Sequence, residues 1–392
     1  MNGFTGVPIP SASGERRKCR SLSRNEATLG NWQGCASGEE CTLHQVAPYI
    51  GKIKSSIARS LVSEFTSSGD IVCDPFCGSG SVALEAWLAG RRVIANDLNP
   101  YSVAVTRGKL HPPESLDRAL AEIDLAATEV RTVSEQVDLR SIPAWVRGFF
   151  HPETLRETVA WFRVLKTRKC SFLLACLLGI LHHQRPGFLS YPSSHAVPYL
   201  RANKFPQSDY PELYEYRAVQ VRLEKKVTRA FSRIPQFDRK VYRRCYMRDA
   251  RFLAPSRIDS LITSPPYMGQ LDYARDNRLR LWFLGVTDHQ QLDRRISPLQ
   301  EEFLALLKTC FCRWRKALVT GGTCVLVLGD PKVKSYDMHL PDVAIQLATR
   351  EAGGYSLVCR YSEAIPDQRR VRRGLGGSLE ETIVVLRKER GR

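Results

Sequence analysis

The sequence has no apolar run long enough to cross a bilayer. Its longest, Phe172–Leu181, is about half of the ~20 residues that a span requires. The polar N-terminus carries Glu15-Arg-Arg-Lys-Cys-Arg20 and lacks the hydrophobic block of a secretory signal, so a cytoplasmic protein is expected. In that reducing compartment the twelve cysteines read as buried small hydrophobes and not as bridges. Cys19, Cys35, Cys41 and His44 include no Cys-x-x-Cys pair of the kind structural zinc sites favour, and no metal site is expected. Repeats at solenoid periods are absent too. Acidic residues are scarce, 40 against 58 Lys and Arg, and the net charge of +18 suits a polyanionic partner such as nucleic acid or an anionic membrane surface. What is present is ordinary: 43% hydrophobic and 25% charged residues exclude disorder for the bulk of the chain. At 392 residues it has room for two or three folding units.

Residues 1–40, rich in Ser, Gly, Asn and Arg without sustained periodicity, read as a flexible leader. From Cys41 to about 108, helix and strand patterns alternate. They comprise an amphipathic segment Lys54–Phe65, a strand Ile71–Asp74, a Gly-rich turn, a helix Val82–Ala89 stopped by Gly90, and a strand Arg92–Asp97, together a βαβ unit. Residues 109–240 read as helical, over Glu114–Val130, Pro152–Lys166, Ser171–His182 and a long Pro211–Ile234 segment. The βα pattern then resumes with strand Ile258–Thr263, helices Leu279–Leu284 and Gln300–Leu318, strand Thr323–Leu328, helix Asp342–Ala352, and strands Tyr355–Tyr361 and Thr382–Leu386. No crossover helix links the last two, which predicts antiparallel pairing.

Two segments carry chemistry. Asp74-Pro-Phe-Cys-Gly-Ser-Gly80 places an acid at a strand end and glycines in the strand-to-helix turn, where a missing Cβ lets backbone amides approach a ligand. The turn lacks the Gly-Lys-Ser/Thr ending of a triphosphate site and the three-glycine spacing of a dinucleotide site. Its acid disfavours pyrophosphate and favours a cationic ligand, which S-adenosyl-L-methionine is. Asp97 ends the next strand, 17 residues after Gly80, where an acid can accept from both ribose hydroxyls. The other segment, Thr263-Ser-Pro-Pro-Tyr267, ends another predicted strand. Pro265 and Pro266 stiffen it, the Ser264 hydroxyl and Pro265 carbonyl can accept from an exocyclic amine, and Tyr267 offers a face on which a base can stack.

Both segments closely resemble the cofactor-binding and catalytic motifs of the amino-methylating DNA methyltransferases. With Ser at its head, the Thr263–Tyr267 motif resembles the cytosine-N4 branch, since adenine-N6 enzymes more often carry Asp or Asn in the Ser264 position. His44-Gln-Val-Ala-Pro-Tyr-Ile-Gly-Lys52 resembles the family's N-terminal motif at the methionine end of the cofactor, with Ile53 where the family often has Phe. Arg248-Asp249-Ala250-Arg251 resembles the motif whose Asp accepts from the adenine amino group. The resemblance covers about 41–108 and 241–392. It implies a Rossmann-like, seven-stranded α/β sheet of class I S-adenosylmethionine-dependent methyltransferases, with residues 109–240 as a helical insertion and candidate target-recognition lobe. It also implies S-adenosyl-L-methionine as cofactor, held by Tyr49, Lys52, Asp74, Phe76, Gly78, Gly80, Asp97 and Asp249, with Ser264, Pro265, Pro266 and Tyr267 catalytic.

The partner implied is double-stranded DNA, which would make the chain nucleoid-associated when bound, and in a restriction-modification setting a cognate endonuclease. Residues 201–251 hold 14 Lys/Arg against 6 Asp/Glu, many on Arg217–Arg233 at helical spacing. Arg369, Arg370, Arg372 and Arg373 sit in a Gly-flanked loop suited to phosphate contacts, and Tyr273 and Arg275 follow the catalytic motif closely enough to touch the target base or its partner. His182, His183 and His195 read as packed or capped residues. The Pro-Cys nucleophile of carbon-5 cytosine methylation is absent, so covalent catalysis is not expected. Adenine-N6 methylation, RNA amine methylation and an inactive cofactor-binding DNA regulator stay open as alternatives.

Overall fold

The computed structural model describes residues 40–183, 187–191, 205–266, 273–364 and 380–390. Seven strands form one sheet: β1 (Ile71–Asp74), β2 (Arg92–Asp97), β3 (Arg243–Met247), β4 (Ile258–Thr263), β5 (Leu318–Gly329), β6 (Tyr355–Ala364) and β7 (Glu380–Lys388). Their order is β3-β2-β1-β4-β5-β7-β6. β1 pairs in parallel with both β2 and β4, β4 in parallel with β5, and β7 runs antiparallel between β5 and β6. The sheet is the seven-stranded α/β sheet expected, and its last two strands pair antiparallel.

Strand residues alternate between two apolar layers, which is why so few positions are polar. Val72, Val93, Ala95, Ile262 and Val325 face one core, while Ile71, Cys73, Ile94, Leu261 and Cys324 face the other. The first core is covered by α1 (Ser55–Phe65), α2 (Ser81–Leu88), α3 (Pro100–Leu110), α4 (Leu116–Glu135), α5 (Pro152–Thr167), α6 (Ser171–Leu181) and α7 (Val219–Phe231). The other core is covered chiefly by α10 (Gln300–Ala317) and α11 (Leu340–Gln346). Between β4 and α10 lie α8 (Arg278–Phe283) and α9 (His289–Ile296).

Helices α4–α7 share their apolar core with α2 and α3. The contact is close: a Cβ on Gly108 of α3 would stand 2.3 Å from Ala175 Cβ of α6, and one on Gly179 of α6 would stand 2.0 Å from the Val46 carbonyl. Only glycine allows that approach.

Most predicted elements occur within two to five residues of their expected ends, but several differ. The long helix expected over Pro211–Ile234 is a 3₁₀ turn at Pro211–Tyr214 followed by α7, because Glu215 adopts extended backbone and Ala218 is also non-helical between them. The helix expected over Asp342–Ala352 is α11 running into a π turn, Leu347–Glu351. Sequence patterning does not reveal α3, α9 or β3. Helix α3 has no apolar stripe, since its buried face includes Ser102, Thr106 and Lys109. Among the described residues no helix is long and apolar enough to cross a membrane.

Candidate functional site

β1 and β4 are neighbours with Cys73 opposite Leu261, so the two chemistry-bearing segments leave the sheet side by side at its C-terminal edge. A cavity of about 470 Å³ opens there. It is lined by Tyr49, Lys52, Asp74, Phe76, Gly78, Asp97 and Asp249 of the expected cofactor set, and by Ser264, Pro265 and Pro266 of the expected catalytic set. Tyr273 also lines it; Gly80 and Arg275 do not. Tyr267 and Arg369–Arg373 lie outside the described residues.

The join between the two segments is a side-chain bond. Thr263, fully buried, donates through Oγ1 to Asp74 Oδ1 at 2.7 Å and accepts from the Phe76 amide at 3.3 Å. Asp74 is itself buried, and desolvation raises its carboxyl to about 7, with the Thr263 bond opposing the rise and the Asp97 charge adding to it.

Asp97 sits at the end of β2 as expected. Its Oδ2 accepts from the Gly78 amide at 2.8 Å and its Oδ1 from the Asn99 amide at 2.8 Å. Burial lifts it to about 6 against the pull of those backbone bonds. Each carboxylate oxygen keeps accepting capacity for a ligand hydroxyl. Asn99, which caps α3 by accepting from the Tyr101 amide at 2.9 Å, has its Nδ2 buried without a partner at the cavity wall. That orphaned donor beside an accepting carboxylate suits a ligand hydroxyl, which both gives and takes a hydrogen bond.

Beside the turn, Tyr49 stacks on Tyr101 with ring centroids 5.8 Å apart, and its hydroxyl pairs with Ser102 Oγ at 2.8 Å. Gly78 has φ +48, and a Cβ there would meet the Tyr49 ring at 3.4 Å, so the tyrosine closes over the turn because the glycine lets it. Gly80, with φ +73, serves the turn from behind: its Cβ position lies 2.6 Å from Thr106 Oγ1.

Asp249 caps the turn Ala250–Phe252 and forms a two-pronged pair with Arg251, Nε to Oδ1 at 3.0 Å and Nη2 to Oδ2 at 2.7 Å. The Arg251 bond holds its carboxyl below the usual range. Arg251 is itself exposed, so the pair is readily remodelled by a ligand. Phe76, Ile296, Pro298 and Leu306 add an apolar wall nearby.

Sequence reasoning passes over Thr263, Asn99, Arg294 and Arg295, all but the first of which line the cavity. Thr263 adjoins Ser264, and Asn99-Pro100 is a recognisable helix start, so both leave local signals. The arginines leave none, because α9 reaches the cavity only through the fold. Asp293 of the same helix accepts from the Ala274 and Arg275 amides at 2.8 and 3.0 Å, tethering the segment that begins at Tyr273. Of the four metal-ligand candidates, Cys19 and Cys35 lie outside the described residues, while His44 Nε2 bonds Glu85 Oε1 at 2.7 Å. Among the described residues no group of three or more metal-ligating side chains assembles.

The residues present fit S-adenosyl-L-methionine: a buried acid for its cationic end, Asp97 beside Asn99 for its ribose, and an apolar slot ending at Asp249 for its adenine.

Residues 49–135 match the family described as D12 class N6 adenine-specific DNA methyltransferase. The chain is 23% identical over 290 residues to the Type II methyltransferase M.BsoBI of Geobacillus stearothermophilus, covering 66% of this chain and 56% of that protein. It therefore spans little more than half the length of that curated relative. It is 38% identical over 63 residues to a tRNA (guanine(10)-N2)-dimethyltransferase of Methanothermobacter thermautotrophicus, covering 16% and 19% of the two chains. Similar solved structures include the rRNA methyltransferase aviRa of Streptomyces viridochromogenes, with TM-score 0.33, 13% identity and 94% coverage of each chain. TrmN of Thermus thermophilus is another, with TM-score 0.35, 12% identity and coverage of 88% and 52%. Residues 49–135, which include the glycine-rich turn, are thus similar to the D12 class DNA methyltransferases, and they sit within a seven-stranded sheet.

Proposed function

We propose that the chain methylates an exocyclic base amine in double-stranded DNA, with the N4 amine of cytosine as target. The observation that carries this reading is the junction at Thr263. Its hydroxyl bonds the acid of the cofactor turn, and its neighbours Ser264 and Pro265 line the same cavity. S-adenosyl-L-methionine, when bound, supplies a methyl group on a sulfonium.

The chain's own residues do the remainder. A base must leave the duplex to reach so recessed an edge, at a cost of a few kcal/mol, and stacking on Tyr267 together with phosphate contacts offsets that cost. The amine nitrogen is a poor nucleophile while its lone pair is delocalised into the ring. Hydrogen bonds accepted by Ser264 Oγ and the Pro265 carbonyl draw it towards tetrahedral geometry and aim the lone pair along the transfer axis. The surplus proton leaves through Ser264 or water, so no strong base is needed. Residues 109–240 and the Arg369–Arg373 loop are the elements to which we assign target recognition and phosphate contact.

Adenine-N6 methylation is the alternative reading, favoured by the D12 match. That match ends at residue 135 and so does not include Ser264–Tyr267, the residues that meet the base. The test is incubation of the chain with isotopically labelled S-adenosylmethionine and, in separate reactions, duplex DNA or RNA, followed by nucleoside mass spectrometry. N4-methylcytosine supports the reading, N6-methyladenine replaces it with the alternative, and label found only in RNA substrates refutes both. Absence of label in any nucleic acid, with cofactor binding intact, points to an inactive cofactor-binding regulator.

A further inference from the structure

Helix α3 turns a polar, fully buried face towards the back of the cofactor turn. Thr106 Oγ1 donates to the Gly78 carbonyl at 3.2 Å, and Lys109 Nζ donates to the Ser79 carbonyl at 2.7 Å. Both side chains are 0% exposed. They stand three residues apart and therefore share one face of the helix, where Thr106 also occupies the space that a Cβ on Gly80 would need. Burying an ammonium there is costly unless its hydrogen bonds do something in return.

We propose that Thr106 and Lys109 are positioning residues that hold the cofactor turn in its binding conformation, an inference that rests on the methyltransferase reading above. A peptide unit is planar and trans, so its N–H points opposite to its C=O. Thr106 draws the Gly78 carbonyl towards α3 and thereby directs the Ser79 N–H to the cavity side, where Ser79 forms part of the wall. Lys109 draws the Ser79 carbonyl the same way, and the Gly80 N–H on the opposite side closes the turn onto the Cys77 carbonyl at 2.6 Å. Consecutive peptide units are thus set from behind by side chains that touch no ligand. The pair acts on the cofactor end of the cavity and leaves the base end untouched.

The test uses the full chain and S-adenosylhomocysteine as probe, titrated calorimetrically, with steady-state methylation of duplex DNA alongside. Thr106→Val keeps the shape and removes the hydroxyl. It should raise the dissociation constant about tenfold, the usual worth of one buried hydrogen bond to a binding conformation. Thr106→Ser should restore it to within about twofold of wild type. Lys109→Met should act as Thr106→Val does. In turnover, KM for the cofactor should rise while KM for DNA stays unchanged, a split that general loosening of the fold would not give. Should Lys109→Met fail to fold, the Thr106 pair decides alone. Wild-type binding with an unchanged constant in Thr106→Val overturns the clamp and leaves the methyltransferase reading standing. Failure of the wild-type chain itself to bind the probe overturns that reading, and the clamp with it.

Discussion

Cofactor affinity should fall steeply as pH drops from 8 to 6, because two cavity acids titrate within that range. Asp74 is raised to about 7 and Asp97 to about 6 in the free protein, chiefly by burial. A ligand that places a positive charge near Asp74 and hydroxyls on Asp97 binds the ionised forms, so binding must expel any protons these groups hold. At pH 8 both are about 90% or more ionised. At pH 6 roughly one Asp74 in eleven and one Asp97 in two is ionised, and the product of these fractions makes binding about 20-fold weaker at pH 6 than at pH 8. The sign is opposite for the free fold. A carboxyl whose folded pKa exceeds its unfolded value adds stability as pH falls through that folded value, so these two acids do not cause acid unfolding over the window. Calorimetric titration with S-adenosylhomocysteine at pH 6, 7 and 8, paired with thermal melts, measures both quantities. Asp74→Asn should bind more weakly throughout, yet show only about a twofold change between pH 8 and 6, the share left to Asp97. Burial pushes Lys109 down to about 7, with Lys52 adding to the fall and Glu40 opposing it, so it titrates in the same window. Repeating the series with Lys109→Met separates its contribution. A wild-type profile no steeper than that of Asp74→Asn would refute the assignment of Asp74 as the ionising group.

Other outcomes follow from the same geometry. Ser264→Ala should reduce methyl transfer at least a hundredfold while changing the dissociation constant for S-adenosylhomocysteine by less than about twofold, as removing one transition-state hydrogen-bond partner does. Thr263→Val leaves Asp74 without its buried donor, and should raise the dissociation constant about tenfold and shift the pH midpoint of binding upwards. Gly179→Ala drives a methyl group into the Val46 carbonyl and should cost at least ~1–3 kcal/mol, read as a lowered melting temperature, because both backbones there are held by the core. His44→Ala removes the buried hydrogen-bond partner of Glu85, whose ion pair with Arg59 at 3.0 Å remains, and should destabilise the fold by about 2 kcal/mol in a denaturant melt at neutral pH, where burial keeps the imidazole uncharged.

Much of this molecule was legible in its sequence because the decisive features are local. The turn Asp74–Gly80 is written in residues whose backbone freedom or rigidity acts at their own position, and so is the Pro265-Pro266 lip. Six of the seven strands followed from short apolar segments of four to seven residues, and the antiparallel pairing of β6 with β7 followed from the absence of a crossover helix. What the sequence could not show is what a residue meets once distant segments arrive. Thr263 reads as a strand residue until β4 lies beside β1 and its hydroxyl finds Asp74, 189 positions away. Helix α3 escaped notice because its buried face is polar, and a buried Ser102, Thr106 or Lys109 has no hydrophobic period to betray it. Arg294 and Arg295 reach the cavity only because α9 folds back over it. The sequence by itself determined the glycine-rich turn, the stiff Pro265-Pro266 segment and six of the seven strands, since steric and periodic rules fix these within a few residues. The tertiary structure alone decided which buried polar groups hold them together, because a hydrogen bond between remote side chains depends on distances that no local pattern encodes.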